Sequence, residues 1–265
     1  MLTEEQVAEF HENGFLNGGS VLDGAQVEVL REELYRVIEN KDRDDVSQPV
    51  LLRNLGGNDS APVWQIVNIW EASEAFRDLM YSEKIVGEMA QLTGATVLRI
   101  WHDQIQYKPA EIGGTTGWHQ DAPLWPIIRP MTEVSAWVAL DDVDEENGCM
   151  SMVPGSHKWG NQIAFVREVK DFNAMPSEFE GQPISVVRRP VKKGEVHYHH
   201  ALTWHGSHDN RSKRPRRAIA IHYMTQDTYY DASGDHVMKE FVTVEDGEIL
   251  RGEHFPTVWQ KASAR

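Results

Sequence analysis

The sequence predicts a mainly β fold, a barrel or sandwich core, with a helical flank at its N-terminal side. Three observations predict it. Apolar residues recur at helical spacing through the first third, the period shortens toward two from about Thr96, and turn-forming residues cut the remainder into short segments. At 265 residues the chain is long enough for one large domain, and its 40% hydrophobic and 25% charged residues are ordinary for a globular protein.

Each element has its own signal. Thr3 with Gln6 reads as a capping box ahead of Val7 and Phe10. Val27, Leu30, Leu34, Val37 and Ile38 recur at helical spacing after Asp23, a fitting N-cap. Ile85, Val86, Met89 and Leu92 follow Ser82 in the same way, and Gly94 is a natural stop. Between these helices, Asn54 to Asp59 is a loop by composition, and Val63 to Trp70 reads as a strand. Val97 to Lys108 has the pattern of a long strand, and the glycine-rich stretch Glu111 to Gly117 reads as a turn. Further strands are expected over Glu133 to Leu140, Ser151 to Val153, Ile184 to Val191, Glu195 to Trp204 and Arg217 to Met224. Turns at Glu146-Asn147-Gly148, Pro154-Gly155-Ser156 and Lys193-Gly194 separate them. Residues 160–182 have no clear period and are long enough to form a lid or insertion.

Composition narrows the function. The net charge of -15 repels nucleic acid and anionic membrane, so neither is expected as a partner. No run of about 18 apolar residues suggests a membrane span, and the acidic start MLTEEQVAEF lacks the pattern of a secretory signal. The single cysteine, Cys149, permits no intramolecular disulfide and fits a cytoplasmic location. Basic runs at Arg188, Arg189, Lys192 and Lys193 and at Arg211 to Arg217 read as solvated surface, with one exception below.

The chemistry is carried by three separated pieces. Trp118-His119-Gln120-Asp121 follows the glycine-rich turn, and on a strand positions 119 and 121 share a face. Alone, a His-x-Asp pair is weak. Thr203-Trp204-His205-Gly206-Ser207, expected at the end of a later strand, offers a second imidazole. Two histidines and one carboxylate form a facial triad that leaves coordination positions open, as iron(II) oxygenases require, whereas a structural zinc site closes its shell with four protein ligands. The third piece is Arg216, eleven residues past His205. A turn at Asp209 to Ser212 would bring the two strands side by side. An oxoacid that chelates the metal has a distal carboxylate, and arginine is the side chain suited to hold it.

With these residues in view, the sequence resembles the phytanoyl-CoA dioxygenase family over nearly its whole length. The resemblance runs from Leu2-Thr3-Glu4-Glu5-Gln6 and Asn13-Gly14-Phe15-Leu16 through Trp118-His119-Gln120-Asp121, Glu146-Asn147-Gly148-Cys149-Met150 and Val153-Pro154-Gly155-Ser156-His157-Lys158 to His205-Gly206-Ser207 and Arg216-Arg217-Ala218. It implies a double-stranded β-helix (jelly-roll, cupin-like) core and an oxygenase using iron(II), 2-oxoglutarate and dioxygen. It implies iron ligands at His119, Asp121 and His205, and Arg216 on the 5-carboxylate of 2-oxoglutarate. Ser207 and Trp137 match residues beside that co-substrate, and Gln104 and Gln106 lie on a strand that contributes contacts. The glutamines share a face with His102 and Lys108, as a polar cavity wall would. One branch of the family halogenates with glycine or alanine at the carboxylate position; Asp121 argues against that, and hydroxylation of an unactivated C–H bond is the default, while desaturation, epimerisation, ring closure and oxidative demethylation use the same oxidant and stay open. The whole chain, 1–265, is then one oxygenase domain, with a mainly helical flank at 1–95, the β-helix core at 96–225 and a C-terminal extension at 226–265.

Pocket residues beyond these rest on position. Trp125 and Leu124 closely follow Asp121, Asn68 and Trp70 sit on the early strand that would line the mouth, and either His199 or His200 should point inward. Core packing accounts for each equally well. A zinc or manganese cupin-type enzyme could draw on His197, His199, His200, His205 and His208, and a silent binding domain could share the fold. Arg216 counts against the first, and an intact triad plus arginine against the second. The partner is a small molecule whose identity the sequence leaves open, as it does the oligomeric state. A CoA thioester would need a basic patch such as Arg188, Arg189, Lys192 and Lys193, which an acidic chain makes a poor wager.

Overall fold

The computed structural model describes residues 1–54 and 63–262. Most of the loop expected over 54–59 lies outside them. The chain opens with α1 (Glu4–Asn13), β1 (Phe15–Ser20) and α2 (Gly24–Glu39), then the paired strands β2 (Leu51–Asn54) and β3 (Trp64–Val67). After α3 (Glu74–Met80) and α4 (Glu83–Thr93) come the long β4 (Val97–Lys108), β5 (Thr116–His119), β6 (Ile128–Arg129), β7 (Val134–Ala139) and β8 (Met150–Met152). A short α5 (Ile163–Glu168) precedes the pair β9 (Glu178–Phe179) and β10 (Gln182–Pro183), followed by β11 (Val187–Arg189), β12 (Glu195–His200), β13 (His205–Ser207), β14 (Arg216–Thr225), β15 (Tyr229–Tyr230) and β16 (Thr257–Gln260).

Two antiparallel sheets form the core. The larger runs β1-β12-β7-β14-β4-β3-β2, with β16 also on β4; the smaller runs β11-β8-β13-β5. This is the jelly-roll core the sequence predicts. The flank is less purely helical than expected, because β1, β2 and β3 join the larger sheet, and the C-terminal extension returns β16 to it. Strand alternation gives that sheet two unlike faces. Leu98, Ile100, Ile105, Val134, Ala136, Val138, Ile219, Ile221 and Tyr223 pack in one apolar cluster with Val27, Leu30, Leu34, Phe76, Met80, Ile85 and Met89 of the helices. The opposite face carries His102, Gln104 and Gln106, with Trp137, Ala220 and His222 on the neighbouring strands, and looks into a cavity of about 580 Å³. Opposite Tyr223 and His222 the register on β4 steps from Ile100 to His102, so Trp101 is a bulge residue. The bulge lets Ile100 and Asp103 both serve the helix side while His102 to Lys108 keep the cavity phase.

The helices start as their sequences dictate. Thr3 and Asp23 each accept from the backbone N–H three residues on, and Gln6 and Gln26 return the bond. Ser82 makes no such bond. Helix α1 ends on Gly14 at φ 83°, where a Cβ would lie 2.4 Å from the His157 ring and 2.6 Å from the Thr203 hydroxyl. The Gly14 carbonyl accepts from Thr203 Oγ1 at 2.9 Å and from the His200 N–H at 2.8 Å. The N-terminal corner therefore braces the turn that leads into His205.

The structure corrects three local expectations. The strand expected over 63–70 stops at Val67; Asn68 turns left-handed at φ 55°, and Ile69–Glu71 form a 3₁₀ turn. Its amides are drawn off the ladder by Asp103, whose carboxylate accepts from the backbone of Ile69 and Trp70. The strand expected over 195–204 ends at His200, and His205 begins the next strand in the other sheet rather than ending this one. Consequently β13 and β14 do not lie side by side; they face each other across the cavity from different sheets.

Candidate active site

His119 closes β5 directly opposite His205 on β13, so sheet register alone brings the two imidazoles together, with ring centroids 4.1 Å apart. Asp121 joins them by a different route from the strand alternation expected. The strand has ended, Asp121 is in a helical conformation at φ -75°, and its N–H and that of Ala122 both donate to the Ala201 carbonyl. The turn swings its carboxylate back, placing Oδ1 3.4 Å from His119 Nε2 and 3.6 Å from His205 Nε2. One ligand atom from each of the three lies within 4.8 Å of the others, the spacing that can hold a metal ion.

The surroundings prepare these atoms for a cation. His119 Nδ1 sits 2.8 Å from the Gly117 carbonyl and His205 Nδ1 2.9 Å from the Thr203 carbonyl. A carbonyl only accepts, so each Nδ1 carries the proton and each Nε2 lone pair faces the site. His199, expected as a substrate contact, lines the cavity and also braces the carboxylate, with Nε2 3.2 Å from Asp121 Oδ2. Gln120 points away from the site. Its amide donates to the carbonyls of Gly160 and Leu202 and accepts from the Gln162 N–H, tying the metal strand to the segment over 160–182. That segment contains α5 and the β9–β10 pair, and its Arg167 reaches the cavity wall.

Arg216 lies in the same cavity, fully buried. Within the basic run, Arg211, Arg214 and Arg217 each pair with a carboxylate. Among the described residues Arg216 has no carboxylate partner and its Nε has no hydrogen-bond partner. Its guanidinium stacks 5.2 Å over Trp137 and donates to Ser207 Oγ and to the Gly148 carbonyl at 3.3 Å each. Burial lowers its pKa to about 10, still cationic at neutral pH. A buried cation without a counter-ion is costly, and an anionic ligand removes the cost. Lys108, beside it, donates to Ser207 Oγ at 2.7 Å and to the carbonyls of Ser207 and His208. Burial and the neighbouring Arg216 push the pKa of Lys108 down to about 6. With both lone pairs of Ser207 Oγ facing N–H donors of Lys108 and Arg216, its hydroxyl hydrogen is left for the cavity.

Gln104, Gln106 and Trp125 also line the cavity. Asn68 and Trp70 do not; the amide of Asn68 is spent on Glu71 and Trp70 stacks with Arg77, both consequences of the 3₁₀ turn. Among the polar and charged residues of the cavity wall, sequence reasoning missed Arg53, Gln65, Arg167, His222 and His236. His222 had a signal, since it lies six residues past Arg216 on the same strand and hence on the same face. His236, at the start of a 3₁₀ turn in the C-terminal extension, and Arg167, on the short α5, had none.

Comparisons with known proteins bear on the family and the fold. A family model described as phytanoyl-CoA dioxygenase (PhyH) matches residues 10–218. The peroxisomal phytanoyl-CoA dioxygenase of Mus musculus is 27% identical over 93% of this chain and 76% of its own length. Among solved structures, the non-haem α-ketoglutarate-dependent carbocyclase SnoK from nogalamycin biosynthesis is 27% identical, with a TM-score of 0.77 over 97% of both chains. The epimerase SnoN, solved with Fe3+, α-ketoglutarate and nogalamycin RO, shares the fold at 22% identity and a TM-score of 0.69.

Proposed function

The chain belongs to the phytanoyl-CoA dioxygenase family and is a non-haem iron dioxygenase dependent on 2-oxoglutarate; from that premise we propose that it hydroxylates an unactivated C–H bond of a small molecule. The observation that carries this is the pairing, within one cavity, of a three-residue candidate metal site with a buried arginine that has no counter-ion among the described residues. The donor set fits iron(II): two neutral imidazole nitrogens and one carboxylate oxygen on one side, leaving the cavity side open. With 2-oxoglutarate and dioxygen, that metal supplies the C–H-cleaving oxidant and releases succinate and carbon dioxide.

The chain's own residues supply placement. His119, Asp121 and His205 would hold the metal, and His199 would keep the Asp121 carboxylate turned toward it. Arg216 would take the 5-carboxylate, with Ser207 donating its free hydroxyl hydrogen and Trp137 backing the guanidinium. Gln104 and Gln106 flank the same end. Asp121 fills the position that halogenation would need vacant. The whole chain is read as one oxygenase domain, with residues 160–182 as its cover over the metal strand. One buried cysteine suits a reducing compartment such as the cytoplasm. No helix among the described residues is long and apolar enough to cross a membrane.

An anaerobic titration of metal-free protein with iron(II) and 2-oxoglutarate tests the reading. A visible charge-transfer band is expected once both are present. Bound iron without the band would remove the co-substrate and return the zinc or manganese reading.

A further inference from the structure

The end of the cavity opposite Arg216 contains a second group of titratable rings that the metal and co-substrate do not use. His102 lies on β4, His222 beside it on β14, and His236 arrives from the C-terminal extension. The His102 ring lies 4.7 Å from His222 and stacks 5.6 Å from His236 at 18°. Trp125 packs against His222 at 4.6 Å and His102 at 5.6 Å. These rings are not a second metal site, because the metal-grade grouping among the described residues is His119, Asp121 and His205.

Their tautomers are fixed by what their Nδ1 atoms touch. His102 Nδ1 is 3.1 Å from the Asp103 carbonyl, so it carries the proton and its Nε2 is a bare acceptor. His236 Nδ1 accepts from the Met238 N–H at 3.2 Å, so its proton is on Nε2, a donor. His222 Nδ1 is paired with the Ser135 hydroxyl at 2.7 Å. No hydrogen bond among the described residues reaches Nε2 of His102 or His236. Burial keeps both rings neutral at physiological pH, pushing His102 well down and His236 to about 4.

We infer that this end of the cavity is the substrate subsite and that it selects a neutral hydroxyl group, held between an accepting His102 and a donating His236, on a carbon skeleton packed against Trp125. This rests on the oxygenase reading. A hydroxyl satisfies both rings, since it donates once and accepts. A carboxylate has no proton to give His102, and an ammonium has no lone pair for His236. Either ion would also surrender its hydration to the neutral rings at this end. Substrates of the form R–OH are selected over R–COO⁻ and R–NH₃⁺ of equal size.

A matched series tests this: cyclohexanol, cyclohexanecarboxylate and cyclohexylammonium, titrated anaerobically into protein loaded with iron(II) and 2-oxoglutarate. The readout is the perturbation of the charge-transfer band, with crystals of the same complex soaked in each probe. Cyclohexanol should bind at least about tenfold more tightly than either ion, with its oxygen between the two Nε2 atoms. His236→Phe should weaken it about tenfold while leaving the starting band intact, which also checks that the variant is folded. Tighter binding of either ion, an alcohol seated elsewhere, no binding of any probe, or unchanged affinity in the variant would overturn the inference. Absence of the band before any probe is added would instead count against the oxygenase reading.

Discussion

Arg216 and Arg217 are neighbours on β14 and meet opposite fates. Arg217 points to the helix side of the larger sheet, where Asp141 takes its Nε and Nη2 at 2.9 and 2.6 Å and Tyr35 takes Nη1. Arg216 points into the cavity, where its partners are a hydroxyl, two carbonyls and an indole face, and its Nε has none. One residue of strand alternation separates a charge completed by folding from a charge left for a ligand. The helix face is closed and largely apolar, and there Arg217 has its carboxylate while Asp103 has its backbone donors. The cavity face has paid for desolvated groups that only a ligand satisfies, which is how a binding site differs from a core built on the same strands.

The largest effect that would break this division is loss of its centre. Asp121→Ala should abolish succinate formation, a drop of about 100-fold or more, and should weaken iron retention. Normal turnover of 2-oxoglutarate by that variant would disprove the metal assignment. Next comes Arg216→Ala. Removing one member of a desolvated charge pair costs about 3 kcal/mol, so 2-oxoglutarate should bind about 100-fold more weakly by the charge-transfer titration. The ligand-free protein should melt no lower than the parent, because no folded-state carboxylate loses a partner. A fall in melting temperature with unchanged affinity would make Arg216 structural.

Lys108→Met should act through Ser207 and be smaller, about tenfold on 2-oxoglutarate affinity. The sharper measurement is a double-mutant cycle. In a Ser207→Ala background the same change should cost little, because the hydroxyl that Lys108 orients is gone. Full additivity would show that Lys108 acts on its own.

The sequence exposed the functional face unevenly, and for physical reasons. Gln104, Gln106 and Lys108 were legible because one long strand sets the phase of every second residue. The bulge at Trp101 was not, since nothing local distinguishes it from an ordinary strand position. His119 and His205 were legible by residue type, but the reason for Asp121 was wrong: a turn anchored on Ala201, 80 residues away, supplies the geometry. Asn68 and Trp70 failed as cavity residues because Asp103, a long-range partner, converts their strand into a 3₁₀ turn. His236 could not be placed at all without knowing that the C-terminal extension folds back over β4. Short-range periodicity is written into the chain, whereas the groups that close the cavity arrive through long-range packing.

The smallest functional effect is expected from the other arginine. Arg217→Met keeps the bulk of the side chain but removes its charge from Asp141. That carboxylate is not left alone, because Arg31 on α2 donates to it through Nη2 as well. The loss should therefore fall below that of an isolated buried pair, at about 2 kcal/mol, or about 5 °C in melting temperature for a chain of this size. Affinity for 2-oxoglutarate should stay within about twofold, since the altered group lies on the far side of the sheet. Arg216→Ala and Arg217→Met would then form a crossed pair, one changing affinity without stability and the other stability without affinity. If Arg217→Met weakened 2-oxoglutarate as much as it lowered the melting temperature, the two faces of β14 would be mechanically coupled, and the sheet could not be treated as a rigid wall between core and site.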